Sequence, residues 1–318
     1  MSDHKTVLEC KDVAHWFGEH RVLHEINFSI IPGEIVALVG PSGCGKSTLL
    51  RAIVGTHPPE QGQVLVHEGG SEEGKPVTAP GRDRGIVYQR YSLFPFLTAQ
   101  ENVAIGLMLD QTSIPFRLFK PREWRKLRKR HLDEAAALLE KLGLEKAMKR
   151  YPKQMSGGMC QRVAIAQALI MKPAILLLDE PFGALDEATR EELQRMLLTL
   201  YLENRTCIKK GEEPPYTVLI VTHELNEAIY VGDRVLGLSQ YWDWKAKGHE
   251  SFPGATVIYD ACAPVYLPDE DRDFQSFKRQ REEIRRAVFD PSVLQARDEF
   301  VTFWKQVDAG DGEGVLAQ

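Results

Sequence analysis

From Gly40 to Ser47 the chain reads Gly-Pro-Ser-Gly-Cys-Gly-Lys-Ser. These residue types at this spacing suit one task, the grip of a phosphate chain. Gly40, Gly43 and Gly45 let backbone N–H groups converge on anionic oxygens with no side chain in the way. A helix starting here points its positive end at the same anion. Lys46 adds a full charge where β and γ phosphates lie, and the Ser47 hydroxyl is placed to ligate Mg²⁺. Ser42, Cys44 and Thr48 complete the cradle. The plain alternative is a glycine-rich turn that happens to carry Lys-Ser. The buried-strand run Ile35–Val39 before it, and Leu49, Leu50 and Ile53 on one side of a helix after it, favour the phosphate loop.

Ile175–Leu178 is a second apolar run, and it ends abruptly in Asp179 and Glu180. Asp179 would reach the hydration shell of Mg²⁺, and Glu180 could polarise an attacking water. A strand-end Asp-Glu can merely cap the next turn; beside a phosphate loop it reads as catalytic. Val218–Val221 leads in the same way to His223. A lone strand-end His is usually structural, but on a strand of the same sheet it could meet a γ-phosphate.

These residues need a scaffold of short buried strands alternating with helices, which is a mostly parallel α/β sheet. Val64–Val66 and Ile86–Tyr88 add strands. From about Tyr91 to Lys172 the pattern is helical, and a helix from Glu187 to about Leu202 separates the last two buried strands. The expected division is a core of residues 1–90 and 173–240, a helical unit of 91–172, and a C-terminal extension of 241–318. In that extension Phe274–Val288 reads as helix and Val293–Trp304 as a final amphipathic helix, with a disordered tail from Asp308 to Gln318. Glu203–Tyr216 reads as an exposed loop.

The 318 residues are 43% hydrophobic, ample for a packed core, and the net charge of −5 gives no global basic field for nucleic acid. The apolar runs fall far short of the roughly 18–20 residues that a membrane span needs, and no apolar leader opens the chain. A soluble protein is expected, with any membrane role exercised through a partner. Cys10, Cys44, Cys160, Cys207 and Cys262 form no CxxC pair, so structural zinc and a disulfide framework are not expected.

Ser156-Gly-Gly-Met-Cys-Gln-Arg162 then resembles the Leu-Ser-Gly-Gly-Gln-x-Gln-Arg signature of ATP-binding cassette (ABC) ATPases. The resemblance spans about Val7 to Leu238, with the main motifs in order. It implies a P-loop NTPase cassette with an antiparallel β portion and a helical subdomain. ATP and Mg²⁺ are the implied ligands, and hydrolysis takes place in a head-to-tail dimer. Phe17 looks like the aromatic that stacks on adenine, with Val22 nearby. Gln89 looks like the Q-loop glutamine that touches Mg²⁺, Gly183–Asp186 like the D-loop, and His223 like the switch histidine. Ser156, Gly157 and Gly158, at a helix N-terminus, would face the γ-phosphate held by the other copy. Met155 in place of Leu is a mild change. Met159 and Cys160 replace polar residues and remove hydrogen-bonding capacity there.

Leu93–Thr98 followed by Glu101-Asn-Val103 looks like the segment of importer cassettes that receives the permease. Phe274, Phe277, Lys278, Arg279, Arg281 and Ile284 are similar to the tail of the nitrate, sulfonate, taurine and bicarbonate group. The resemblance thus implies permease subunits as partners, a solute-binding protein acting indirectly, no nucleic acid, and a peripheral place on the cytoplasmic face of the inner membrane. A lipid-transport cassette and a soluble ATPase of iron–sulfur assembly stay open. One segment is longer than the resemblance implies. Arg117, Lys120, Arg122, Arg125, Lys126, Arg128, Lys129 and Arg130 stand against the single acid Glu123. Pro121 suits a first helical position, and Trp124, Leu127, His131, Ala135, Leu138 and Leu142 mark one helical face. The cations are either a solvated face or a contact with lipid headgroups or an acidic permease loop.

Overall fold

The computed structural model describes residues 5–67, 71, 73–90, 92–183, 185–263, 274–296 and 299–309. The chain opens with β1 (Leu8–Phe17) and β2 (His20–Ile30), an antiparallel pair. β3 (Ile35–Val39), buried along its whole length, feeds α1 (Lys46–Val54). Next come β4 (Gln61–Val66), β5 (Lys75–Pro76) and β6 (Arg84–Val87). Then follow α2 (Ala99–Gln111), α3 (Ile114–Phe119), α4 (Pro121–Lys141) and α5 (Gly157–Leu169). The chain returns through β7 (Ile175–Asp179), α6 (Glu187–Lys209), β8 (Val218–Thr222), α7 (Leu225–Val231) and β9 (Arg234–Ser239). It ends with β10 (Thr256–Cys262), α8 (Phe274–Ile284) running into a π-helical turn at Arg285–Phe289, β11 (Phe300–Val301) and α9 (Phe303–Ala309).

One sheet, in the order β2-β1-β4-β5, is antiparallel; the other runs β11-β10-β9-β3-β8-β7-β6. Strands β9, β3, β8, β7 and β6 are mutually parallel. Strict alternation explains their continuous apolar runs. Ile175, Leu177, Leu219 and Val221 pack with α1 and the antiparallel sheet, whereas Leu176, Leu178, Val218 and Ile220 pack with α2, α4, α5 and α6. The central strands β3, β7 and β8 are buried on both faces, so their runs stay apolar until the strands end.

The α/β class and the antiparallel portion match expectation, and so do α4, with Pro121 in its first turn, and α8. The inward face of α4 carries His131, Ala135 and Leu139, so Leu139 is deeper than Leu138. Two expectations are corrected. Residues 203–216 are not a loop throughout, because α6 continues to Lys209. Asn204 is the reason: buried at 1% exposure, it donates to Gly33 O (2.9 Å) and accepts from Tyr216 N (3.0 Å). Val293–Trp304 is not one helix. Gln295 bridges to Trp242, Phe300–Val301 extends the sheet beside β10, and a helix starts only at Phe303. The expected disordered tail lies outside the described residues beyond Ala309.

The extension is tied to the sheet by a buried ion cluster. Arg234 grips Asp260 through Nε (2.7 Å) and Nη2 (2.8 Å), donates from Nη1 to Ser29 O (2.8 Å), and lies 3.5 Å over the Phe303 ring. Glu34 stands 3.4 Å from Arg234 Nη1. Burial pushes the Glu34 carboxyl up to about 7, although Arg234 and the Ile31 N–H pull it back. Asp233, which accepts from Ile35 N, is raised well above the usual carboxylate range by burial and by Glu34. No described helix is long and apolar enough to cross a membrane.

Candidate functional site

Register brings the chemistry to one edge. Val39 pairs with Thr222, and Asp179 with Val221, so β3, β8 and β7 end together. The Gly40–Gly45 loop, the Asp179–Glu180 pair and His223 therefore leave the sheet side by side. This is the carboxyl edge at which open α/β sheets hold ligands.

The loop is shaped by its glycines. Gly43 and Gly45 have φ of 82° and 99°, in the left-handed region. Gly45 is also the N-cap of α1. No side chain caps this helix and no acid occupies its first turn, so its N-terminal N–H groups face the loop. Val22 passes beneath: a Cβ on Gly45 would lie 3.0 Å from Val22 Cγ1. Phe17, 49% exposed, ends the strand before it, with its ring 4.7 Å from that of His15. Lys46 is buried at 8% exposure, its Nζ donating to Gly40 O (2.7 Å) and Pro41 O (3.0 Å).

Cys44 is not a reactive group. A thiol at a helix N-terminus is expected to favour thiolate. Instead it is buried at 1% exposure among the core residues under α1, and that burial raises its pKa despite the nearby Lys46. Position in the loop does not give Cys44 a reactive sulfur, and its backbone N–H donates to Pro41 O (3.3 Å).

Glu180 is the hub of the second half. Its φ of 46° is rare for a residue with a Cβ and marks strain of the kind found at functional sites. One carboxylate oxygen accepts from His223 Nδ1 (3.1 Å), and the other lies 3.5 Å from Gln89 Nε2. Since Nδ1 gives its hydrogen to Glu180, the imidazole presents a second N–H at Nε2 only as the imidazolium. Burial and the neighbouring Glu180 raise the pKa of Asp179, and Arg51 and Lys46 oppose this. Thr222 Oγ1 donates to Glu227 Oε2 (3.1 Å) and accepts from Glu224 N (3.1 Å), fixing the turn that carries His223.

Ser156 caps α5, its Oγ accepting from Met159 N (3.2 Å) while the O–H stays free to donate outward. Gly157 is exposed with open space around it. Gly158 is different: a Cβ there would meet Thr189 Cγ2 at 1.6 Å. Thr189 is held by Asp186, the N-cap of α6, which accepts from Thr189 N (3.0 Å) and Oγ1 (2.9 Å). Asp186 therefore works in the structure as a cap, and these bonds lower its pKa. Ala184 of the same segment lies outside the described residues. Cys160 turns inward, its Sγ 3.6 Å from Pro152 O, and Met159 packs against the helical core.

Thr189 and Thr222 were not singled out in the sequence; single threonines near helix starts carry no signal of their own. Asn102 was quoted only within a segment. It is fully buried and clamps the Phe94–Thr98 loop by bonds to Phe94 N (2.7 Å), Phe94 O (3.1 Å) and Leu97 O (3.0 Å). Phe96, 70% exposed, is thereby held out on the surface.

The residues present fit a nucleotide with Mg²⁺. The donors at the strand ends are a hydroxyl (Ser47), an amide (Gln89) and a carboxylate (Asp179). Among the described residues no cluster of three or more His, Cys, Asp or Glu forms an all-protein cage. That donor set matches Mg²⁺, which keeps water and substrate phosphates as most of its ligands.

Comparison with known proteins agrees. The family model described as "ABC transporter" matches residues 23–183. The chain is 41% identical over 217 residues to the aliphatic sulfonates import ATP-binding protein of Bacillus subtilis (strain 168), covering 68% of this chain and 72% of that one. It is 39% identical over 286 residues to the nitrate import ATP-binding protein of Synechococcus elongatus, covering 90% and 85%. A solved dimer of the ATP-binding cassette MJ0796, in a post-hydrolysis state with ADP and Pi, superposes with a TM-score of 0.57 at 28% identity, covering 81% of this chain and all of that one.

Proposed function

The chain belongs to the ABC transporter family and is an ATP-binding cassette ATPase, and from that premise we propose that it energises an importer of a small anion or small polar solute. The observation that carries the nucleotide chemistry is the common end of β3, β7 and β8, with Glu180 between Gln89 and His223. Support for an anion importer comes from the relatives, which are named for the import of sulfonates and nitrate. The nitrate relative adds to it, because that likeness runs over 90% of the chain and so into the C-terminal extension.

In this proposal the backbone of Gly40–Gly45, with Lys46, Ser47 and Thr48, holds the phosphates; Phe17 and Val22 form the base side. Glu180 accepts a hydrogen from the attacking water, and His223, held by Glu180 through Nδ1, faces the γ-phosphate through Nε2. Ser47, Asp179 and Gln89 would hold Mg²⁺, which supplies charge neutralisation when bound. The partner subunit's Ser156, through its hydroxyl and the helix start behind it, completes each site. Phe94–Thr98 meets the permease on the cytoplasmic face, and a solute-binding protein delivers cargo on the other side. Residues 1–90 and 173–240 act as the nucleotide core, 91–172 as the helical unit that engages permease and partner, and 241–318 as an extension.

Co-expression with a candidate permease, followed by affinity capture and ATP-driven anion uptake in vesicles, tests this. Capture with the permease and uptake lost in Lys46→Ala support it. ATPase activity with no associated multi-span protein would move the chain to the soluble cassettes.

A further inference from the structure

Arg117 is the cation that is not on the surface for its charge. Its Nε donates to Thr112 Oγ1 (2.8 Å), its Nη2 donates to Met108 O (2.7 Å), and its guanidinium lies 5.1 Å from the Trp124 ring centroid. It thereby staples the end of α2 to α3 and the start of α4. Ser113 caps α3 by accepting from Phe116 N (3.3 Å). The single turn so fixed holds its apolar side chains in water: Ile114 is 72%, Leu118 70% and Phe119 83% exposed. Scattered exposed apolar residues are ordinary, but three in one short capped helix are a built feature.

The cations beside this tip divide into two groups. Lys120 pairs with Glu123 (3.3 Å), Arg128 with Glu101 (3.0 Å) and Arg130 with Glu134 (3.1 Å). Arg122, Arg125, Lys126 and Lys129 are exposed and meet no carboxylate among the described residues. Their spacing of three, four and seven places them on one face in the first three turns of α4, opposite the buried His131 and Ala135. They repel one another and oppose the helix dipole, so the local sequence favours an external anion.

We propose that the α3 tip and this four-cation face bind an anionic phospholipid bilayer surface, with Ile114, Leu118 and Phe119 entering the headgroup–acyl boundary and Arg122, Arg125, Lys126 and Lys129 meeting the headgroups. A bilayer satisfies both halves of the patch at once, since it takes apolar side chains and cations at the same depth. An acidic protein loop would meet the cations and leave the apolar tip in water. The net charge of −5 shows that the attraction is local. The patch lies at the far end of α2 from Phe96, a 13-residue helix away, so it is a second contact beside the permease groove.

The test is flotation of the full chain with vesicles of phosphatidylcholine alone or with 30% phosphatidylglycerol by composition, a range of roughly physiological surface charge. The wild type should float only with anionic vesicles and release as salt rises. With each cation near the surface worth about a fivefold change in partition, the Arg122→Gln, Arg125→Gln, Lys126→Gln, Lys129→Gln quadruple variant should bind about six-hundredfold more weakly. Ile114→Ser, Leu118→Ser, Phe119→Ser together should also weaken binding, with a loss that persists at high salt. Both variants should keep wild-type ATP binding and melting temperature, which separates lost contact from lost fold. Equal flotation on neutral vesicles, or undiminished binding of the quadruple variant, overturns the proposal. So does a wild type that ignores lipid while the same variants fail to assemble with the permease in uncharged detergent, since that assigns the patch to a protein.

Discussion

A methyl group on Gly158 would sit 1.6 Å from Thr189 Cγ2, about 2 Å closer than van der Waals contact allows. Thr189 cannot rotate away freely, because its Oγ1 and N–H both bond Asp186 at the start of α6. Gly158→Ala must therefore either break that cap or push α5 from α6. Overpacking of this kind costs about 1–3 kcal/mol. For a chain of this length that corresponds to about 2–5 °C in melting temperature. Thr189→Ser removes the offending methyl and keeps the hydroxyl on Asp186. The double variant should recover most of the lost stability, with a coupling of about 1–2 kcal/mol in the mutant cycle. ATPase activity measured on the same four proteins separates two roles of Gly158. If the glycine serves only helix packing, the double variant recovers turnover along with stability. If it also lets backbone approach the nucleotide of the other copy, stability returns and turnover does not. Failure of Thr189→Ser to restore stability would refute the packing argument itself.

Glu180→Gln keeps a hydrogen-bonding side chain between Gln89 and His223 but removes the charge that polarises water, so turnover should fall by about 10²–10⁴-fold with ATP binding retained; turnover within threefold of wild type in a steady-state phosphate-release assay would exclude Glu180 as the base. Cys44, buried and with its pKa raised, should resist alkylation in the native protein with or without MgATP, and peptide mapping after iodoacetamide should show the half-buried Cys207 labelled first; rapid labelling of Cys44 blocked by nucleotide would restore the thiolate expectation. Glu34 holds its proton up to about 7 when folded against an ordinary value of 4.5, so the folded state binds more protons in that window. Stability should therefore fall as pH rises from about 4.5 to about 7, at up to about 1.4 kcal/mol per pH unit from this group. Glu34→Gln should flatten the profile of melting temperature against pH, and an unchanged slope would count against the buried-acid account.

Strand ends were legible because they combine two signals. Ile35–Val39, Ile175–Leu178 and Val218–Val221 are apolar at every position, which only a strand covered on both faces needs, and they give way to a glycine loop, to Asp179–Glu180 and to Thr222–His223. The loop of Gly40–Ser47 was legible because backbone N–H groups need glycine to converge. What stayed hidden depends on distant contacts. Nothing local marks Asn204 as buried, since its partners Gly33 and Tyr216 come from other segments, so α6 was ended too early. β10 is read only once Arg234 is seen gripping Asp260 across the sheet. Cys44 shows the converse: the sequence places it correctly at a helix start, but side-chain direction, set by the packing under α1, decides whether the sulfur meets solvent.

In the proposed dimer each nucleotide is held between the loop of one copy and the Ser156 helix of another. The direct measurement is sedimentation of Glu180→Gln protein with MgATP, alone and with Ser156→Arg added to the same chain. Glu180→Gln should sediment as an ATP-dependent dimer, and the double variant should bind ATP as tightly as a monomer yet stay monomeric. Dimerisation undisturbed by Ser156→Arg, or loss of ATP affinity in the monomer, would contradict it.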